Sequence, residues 1–191
     1  MSRLTTAFIA LFLASASASA DAFDDARAGL DQQDRATTLS QMKEFAEFGD
    51  AAAQFNLAVA YEFGLDVPQD DEQAVYWYRK AAEQGLAVAQ SSLGVMYGRG
   101  KGVARDDAQA AYWYEKAAQQ GDLKAQNNLG AAYYRMEGVP GDDVQACFWW
   151  IVASAEGNRN AHRNLQMIKK EMAPEEIAEA YRLASQWWRG R

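Results

Sequence analysis

The sequence contains few side chains that are suited to catalysis or metal binding. It has one histidine, His162, and one cysteine, Cys147. A nucleophile and its base must lie within hydrogen-bond reach of each other, with a third group to orient them. No serine or cysteine in the chain stands in a recognisable nucleophile motif. Because a cysteine and histidine cluster also needs more ligands than these two, the sequence predicts no catalytic residue, no metal site and no cofactor.

Three pairs of neighbouring aspartates are the next candidates, as cation ligands. A calcium loop needs several oxygen ligands at alternating positions around a glycine. Each aspartate pair instead stands directly before an apolar helical pattern. Carboxylates at such a position cap the helix and stabilise its first turn. The glycine-rich residues 98–102 lack the strand and spacing of a phosphate-binding loop, so they are predicted to connect two helices. The aspartate pairs predicted to start helices are Asp70 and Asp71, Asp106 and Asp107, and Asp142 and Asp143.

These pairs belong to a repeat with a period of 36 residues. Each repeat carries two apolar stripes at helical spacing, separated by a loop and followed by a glycine where a left-handed C-cap needs no Cβ. The sequence therefore predicts an all-α, right-handed solenoid of helix-loop-helix repeats, like that of tetratricopeptide proteins. The positions that recur at this spacing include Gly49, Gly85, Gly121 and Gly157, Leu57, Leu93, Leu129 and Leu165, and Trp77, Trp113 and Trp149.

The repeat divides the chain into an opening helical hairpin, three full repeats and a closing segment. The hairpin is predicted from helices over residues 23–32 and 35–48, and the closing helix begins at Pro174. The boundaries are 1–20 for a signal peptide, 21–49 for the hairpin, 50–85, 86–121 and 122–157 for the repeats, and 158–191 for the partial repeat with its capping helix.

The same repeat register predicts structural roles for the two reactive side chains, His162 and Cys147. His162 takes the place of Gln54, Gln90 and Gln126, which favours a structural hydrogen-bonding site over a catalytic base. Cys147 aligns with two small apolar residues of the earlier repeats. It is therefore expected to be buried, and the alternative is an exposed thiol that forms an intermolecular disulfide.

The motif A-x-A-Q-x-x-L…Y, followed by G-V-x-x-D…A-x-x-W-Y-x-x-A-A-x-x-G, resembles the Sel-one-like repeat, a relative of the tetratricopeptide repeat. Ala58 and Asp66 stand where the family usually has glycine. The resemblance implies a non-catalytic scaffold or adaptor for protein–protein interaction. In bacterial relatives it implies periplasmic regulation of sensor proteins, envelope or exopolysaccharide assembly, or host interaction.

Two alternatives to a scaffold remain at this stage. Relatives with a cysteine pair in every repeat have been linked to penicillin binding, but this chain lacks those cysteines. That role is therefore not carried over to this chain. A hydrolase acting on peptidoglycan or a β-lactam is one alternative function, and it would need a nucleophile with a base or a pair of carboxylates, neither of which is evident. A glycan-binding module, suggested by Tyr134 and Trp188, is the other.

Composition and the N-terminus indicate the compartment. The 191 residues are 49% hydrophobic with a net charge of −7, which disfavours binding to nucleic acid. The N-terminus fits a cleaved signal peptide: it has a basic residue at Arg3, an apolar run over residues 4–14 and a small-residue tail ending in Ala18, Ser19 and Ala20. The apolar run falls well short of the ~20 residues of a membrane span. We therefore expect a monomeric periplasmic or secreted protein.

The family resemblance also places a binding groove on the concave face formed by the first helix of each repeat. Its residues are apolar and aromatic towards the N-terminus and basic towards the C-terminus, with Glu62 as the one carboxylate. Such a groove suits a protein or extended peptide with an apolar anchor and an acidic stretch. The alternative is an ordinary solvated helix face. The predicted groove residues are Phe55, Val59, Phe63, Arg99, Lys124, Asn127, Tyr134, Arg135, Arg163 and Lys170.

Overall fold

The computed structural model describes residues 32–190, and their side chains from residue 38 onwards. The predicted signal peptide and the predicted helix over 23–32 lie outside the described residues. The chain divides into two units, Met1–Gln41 and Met42–Arg191. The first helix, α1 (Gln32–Glu47), spans this division, and the second unit contains the repeats.

The described residues form nine α-helices and no strand, which confirms the all-α prediction. The helices after α1 are α2 (Ala51–Phe63), α3 (Asp71–Glu83), α4 (Ala87–Arg99), α5 (Asp107–Gln119), α6 (Leu123–Arg135), α7 (Asp143–Ala155), α8 (Arg159–Ile168) and α9 (Pro174–Arg189). From α2 to α8 each helix packs against the next one in the chain, and α9 packs against α7.

The aspartate pairs start helices, as the sequence predicts. Asp70, Asp106 and Asp142 are the N-caps of α3, α5 and α7, and each side chain accepts a backbone N–H three residues later, at 3.0, 2.9 and 2.9 Å. At the other end of α3, Gly85 has φ +93°, a conformation that side chains rarely adopt. These capping interactions explain why each helix begins and ends at a fixed place in the repeat.

A ladder of buried glutamines joins neighbouring repeats. The Nε2 atoms of Gln54, Gln90 and Gln126 donate to the carbonyl oxygens of residues 46, 82 and 118 at 3.0, 3.0 and 3.2 Å. The Oε1 atoms of Gln54 and Gln90 accept from Gln84 and Gln120 at 2.7 Å each. These hydrogen bonds satisfy polar groups that would otherwise be costly to bury.

The closing helix α9 covers the apolar helix α7. Residues 146–153 of α7 are all buried, and the Trp187 ring lies across those of Phe148 and Trp149, with centroids 6.1 and 5.2 Å apart. A helix that is apolar all round must be covered on both sides. The partial repeat therefore closes the core that the third repeat would otherwise expose.

Two glycines allow the helices of a pair to approach closely. A Cβ at Gly94 would lie 2.6 Å from the Tyr114 ring, and one at Gly130 would lie 2.7 Å from the Trp150 ring. Both glycines lie in the first helix of a repeat and face a large aromatic side chain of its second helix. They therefore create the space in which those aromatic rings pack.

Candidate functional site

The predicted groove residues lie on the first helices α2, α4, α6 and α8 or directly after them. Phe63 is 61% exposed, which suits an apolar anchor. Phe55, Val59, Asn127 and Tyr134 are partly buried. The five basic residues are exposed: Arg99, Lys124, Arg135, Arg163 and Lys170.

At the N-terminal end, the face carries an ion-pair cluster beside the aromatic residues. The Tyr78 hydroxyl donates to Glu62 Oε2 at 2.7 Å, and the Phe55 ring packs on Tyr78 with centroids 5.7 Å apart. Burial and the Glu62 carboxylate raise the pKa of Tyr78 well above its usual range. The hydroxyl therefore stays protonated and serves as a donor.

Lys101 completes this cluster, although it is not among the predicted groove residues. Its Nζ lies 3.6 Å from Glu62 Oε1 and 3.1 Å from Asp71 Oδ1. The same atom is 6.0 Å from the centroid of the Phe63 ring. A cation thus borders the predicted apolar anchor, so the N-terminal end is not purely apolar.

In the middle of the face, α4, α5 and α6 enclose a cleft of about 200 Å³. It brings together Arg99 and Arg135, two of the predicted groove residues, and its apolar lining consists of alanines and Val95. We call it the Gly98 cleft. Its lining is Val95, Gly98, Arg99, Asp107, Ala110, Ala111, Tyr114, Asn128, Ala131, Ala132, Arg135 and Glu137.

At the C-terminal end, polar side chains already contact one another. Asn127 Oδ1 accepts from the Asn164 amide at 3.1 Å, and the Tyr134 hydroxyl donates to Glu171 at 3.1 Å. The Tyr134 ring also packs on Trp150, with centroids 5.8 Å apart. Tyr134 is therefore largely engaged within the protein, which weakens its use as a stacking platform for a glycan.

The charge of this face is more mixed than the sequence predicts. Glu62 is not its one carboxylate, because Asp107 and Glu137 line the Gly98 cleft and Glu171 contacts Tyr134. These three carboxylates lie outside the stripe of first-helix positions from which the groove was predicted. Asp107 starts a second helix, and the other two follow a first helix. Residues 65, 101 and 137 occupy the same position of successive repeats, shortly after the first helix. Including this position in the predicted face would have identified Lys101 and Glu137.

The two reactive side chains have structural surroundings. Cys147 is fully buried, and this burial raises its pKa to about 11, which makes it a poor nucleophile. His162 Nδ1 lies 3.1 Å from Ser154 Oγ. This contact joins the same two positions of the repeat as the bond from Gln90 to the backbone of residue 82, so the pair replaces one step of the glutamine ladder.

Among the described residues, no group of three or more histidine, cysteine, aspartate or glutamate side chains could hold a metal ion. No helix in residues 32–190 has the length and apolar character needed to cross a membrane.

The helix pairs and the polar face that crosses them define an α-solenoid of short helical repeats. Residues 51–86, 87–122 and 123–158 match the Sel1 repeat, and the chain belongs to the Sel1 repeat family. These bounds lie one residue after those drawn from the sequence pattern. A search of curated proteins finds no match.

Solved structures of related proteins share the fold. A protective antigen of uropathogenic Escherichia coli with an SLR fold is 39% identical with a TM-score of 0.74, over 80% of this chain and 33% of its own. This chain thus spans about a third of that protein. A Sel1 repeat protein from Oxalobacter formigenes is 43% identical, with a TM-score of 0.63 over 68% of this chain and 97% of its own. Cysteine-rich protein B of Helicobacter pylori is 25% identical, with a TM-score of 0.55 over 72% and 98%.

Proposed function

We propose that this protein is a non-catalytic scaffold that binds an extended segment of a partner protein along the face of its first helices. Sel1 repeats usually serve protein–protein interaction, and repeat arrays present long surfaces for such binding. The observation that carries the proposal is the Gly98 cleft, which lies on this face between two repeats and brings Arg99 and Arg135 together. No arrangement in the described residues supports the alternative hydrolase.

Phe63 is the side chain from which we expect the largest single contribution to affinity. It is the most exposed aromatic residue of α2, and a buried aromatic anchor contributes about 2 kcal/mol or more. Phe63→Ala should therefore weaken binding roughly thirtyfold. Tyr112→Ala is the matched control, because Tyr112 is 48% exposed but lies on the second helix α5. This substitution should leave the affinity unchanged.

Photo-crosslinking in cells tests which face binds. A crosslinking amino acid at Lys124 or Met167, both exposed on first helices, should capture one and the same partner protein. The same amino acid at Lys116, exposed on a second helix, should not. The affinity of that purified partner for the Phe63 and Tyr112 variants is then measured. Capture through Lys116 alone, or equal affinity of both variants, would refute the assignment of the face.

We also propose that the protein is exported and meets its partner in the cell envelope or outside the cell. The support is the signal-like composition of residues 1–20. N-terminal sequencing of protein from the envelope fraction should find a chain that begins at Asp21. An intact Met1 on protein from the cytosol would contradict the proposal.

A further inference from the structure

One position of the repeat is filled differently in each of the three repeats. It is Glu62 at the end of α2, Gly98 at the end of α4 and Tyr134 at the end of α6. Glu62 bonds to Tyr78, and Tyr134 packs on Trp150. The second repeat has no side chain at this position, and the Gly98 cleft lies there.

The first repeat shows what a carboxylate does at this position. Glu62 accepts the Tyr78 hydroxyl at 2.7 Å and has the Lys101 ammonium 3.6 Å away. The Tyr78 hydroxyl thus keeps its proton and donates a hydrogen bond to the Glu62 carboxylate.

The second repeat keeps this arrangement but lacks the carboxylate. Tyr114 replaces Tyr78, and its hydroxyl lies 3.6 Å from the place where a Cβ would stand at Gly98. Burial nevertheless raises the pKa of Tyr114 to about 12, so its hydroxyl carries a proton to donate. Gly98 stands where the acceptor would be.

The charges around the Gly98 cleft favour an anion. Arg105 forms two hydrogen bonds of 2.9 Å with the Asp107 carboxylate, which neutralises it. Arg135 lies 3.9 Å from Glu137, and Arg99 adds a further positive charge to the lining. The lining thus carries two guanidinium groups and two carboxylates, and Arg105, outside the lining, neutralises the Asp107 carboxylate. One positive charge of the lining is left without a counterion among the residues that the structure describes.

We propose that the Gly98 cleft binds the carboxylate of an aspartate or glutamate side chain of the partner protein. This carboxylate accepts the Tyr114 hydroxyl and pairs with Arg99 and Arg135, as Glu62 does with Tyr78 and Lys101 in the first repeat. A side chain is the occupant because the first repeat fills the same place with one. The inference rests on the proposed function and identifies the chemistry of the partner at one point of the face.

The test uses two probes that differ in charge alone, the capped peptides acetyl-Gly-Glu-Gly-amide and acetyl-Gly-Gln-Gly-amide. Each is titrated into the isotope-labelled protein while the amide resonances of residues 95–99 and 128–135 are followed by NMR. We expect the glutamate peptide to shift these resonances and the glutamine peptide to leave them unchanged. A response to acetyl-Gly-Gln-Gly with a free C-terminus but not to the glutamate peptide would overturn the assignment to a side chain.

Gly98→Glu should supply the carboxylate from within the protein and close the site. A Cβ at Gly98 meets nothing closer than 3.5 Å, so the variant should fold, with a melting temperature at or above that of the wild type. Binding of the glutamate peptide should weaken roughly tenfold or more. Gln73→Glu adds the same charge at an exposed position of α3 and should bind like the wild type. If Gly98→Glu misfolds, Gly98→Ala should still weaken binding, because its methyl group would lie 3.6 Å from the Tyr114 hydroxyl, where the carboxylate is expected.

Unchanged binding by folded Gly98→Glu or Gly98→Ala, or an equal response to both capped peptides, would overturn the inference. Neither result affects capture of a partner through Lys124 and Met167, so the proposed function could stand without the carboxylate site. Conversely, peptide binding in the Gly98 cleft without face-specific capture in cells would contradict the proposed function and leave the carboxylate site in place.

Discussion

Glu156→Gln should stabilise the protein by completing the glutamine ladder. The buried Oε1 of Gln126 has no hydrogen-bond partner among the described residues. In the two earlier repeats the corresponding atoms accept from Gln84 and Gln120 at 2.7 Å. Glu156 stands at the next step of this register, and an ionised glutamate has no proton to donate.

The backbone at residue 156 is already suitable for this hydrogen bond. Gln84, Gln120 and Glu156 each form the C-cap of a second helix, with φ of −78°, −86° and −92°. A glutamine at 156 should therefore reach Gln126 as its counterparts reach theirs. Leaving a buried acceptor unsatisfied costs about 1–3 kcal/mol. Because the new donor is exposed, we expect a gain of about 1 kcal/mol, or roughly 2–4 °C in Tm.

The substitution also removes a negative charge from a helix C-terminus, which by itself favours the helix by about 0.3–1 kcal/mol. Glu83→Gln is the matched control, since Glu83 is exposed at the last position of α3. Urea unfolding followed by circular dichroism measures both variants, alone and with Gln126→Met. The explanation is wrong if Glu156→Gln gains no more than Glu83→Gln, or if its extra gain persists when Gln126 is replaced by methionine.

Three further predictions concern stability, measured by urea unfolding at the stated pH. Gly94→Ala should destabilise by about 2 kcal/mol because its Cβ would lie 2.6 Å from Tyr114, whereas Gly98→Ala, with 3.5 Å of space, should not. Met136→Gly should stabilise by about 1 kcal/mol, since Met136 has φ +59°; no gain would mean that its side-chain contacts offset the strain. Burial raises the pKa of Cys147 from 9.0 to about 11. The buried thiol therefore contributes fully to the free energy of unfolding below pH 9. This contribution is lost as the pH rises towards 11, because the thiol ionises at a lower pH in the unfolded chain than in the folded protein. Cys147→Ala should remove that part of the alkaline loss, and an unchanged pH profile would contradict the assignment.

The fold could be predicted from the sequence because its determinants are local and repeat. The capping aspartates such as Asp70 and the helix-ending glycines such as Gly85 act within a few residues of their own position. Cys147 is buried, as its register with small apolar residues predicts. His162 likewise contacts Ser154 in place of a glutamine bond, which is the structural role expected of it.

The candidate site could be predicted only in part because it forms between repeats. The helical spacing selected Arg99 and Arg135, and the structure places both in the Gly98 cleft. Lys101 and Glu137 follow the first helices, and their charges reach the face only when one repeat packs on the next. Such contacts depend on the arrangement of neighbouring repeats, which the pattern of a single repeat does not contain.

The two glycines of α4 separate the requirements of packing from those of binding. Gly94 is required by the fold, because any side chain there would collide with the Tyr114 ring at 2.6 Å. Gly98, one helical turn later, has ordinary space around it, with the nearest atoms 3.5 Å from a Cβ. A glycine in a helix costs up to about 1 kcal/mol relative to alanine, and packing does not explain this cost at Gly98. An open space beside Tyr114 and two arginines does explain it, if that space is filled by a partner's side chain.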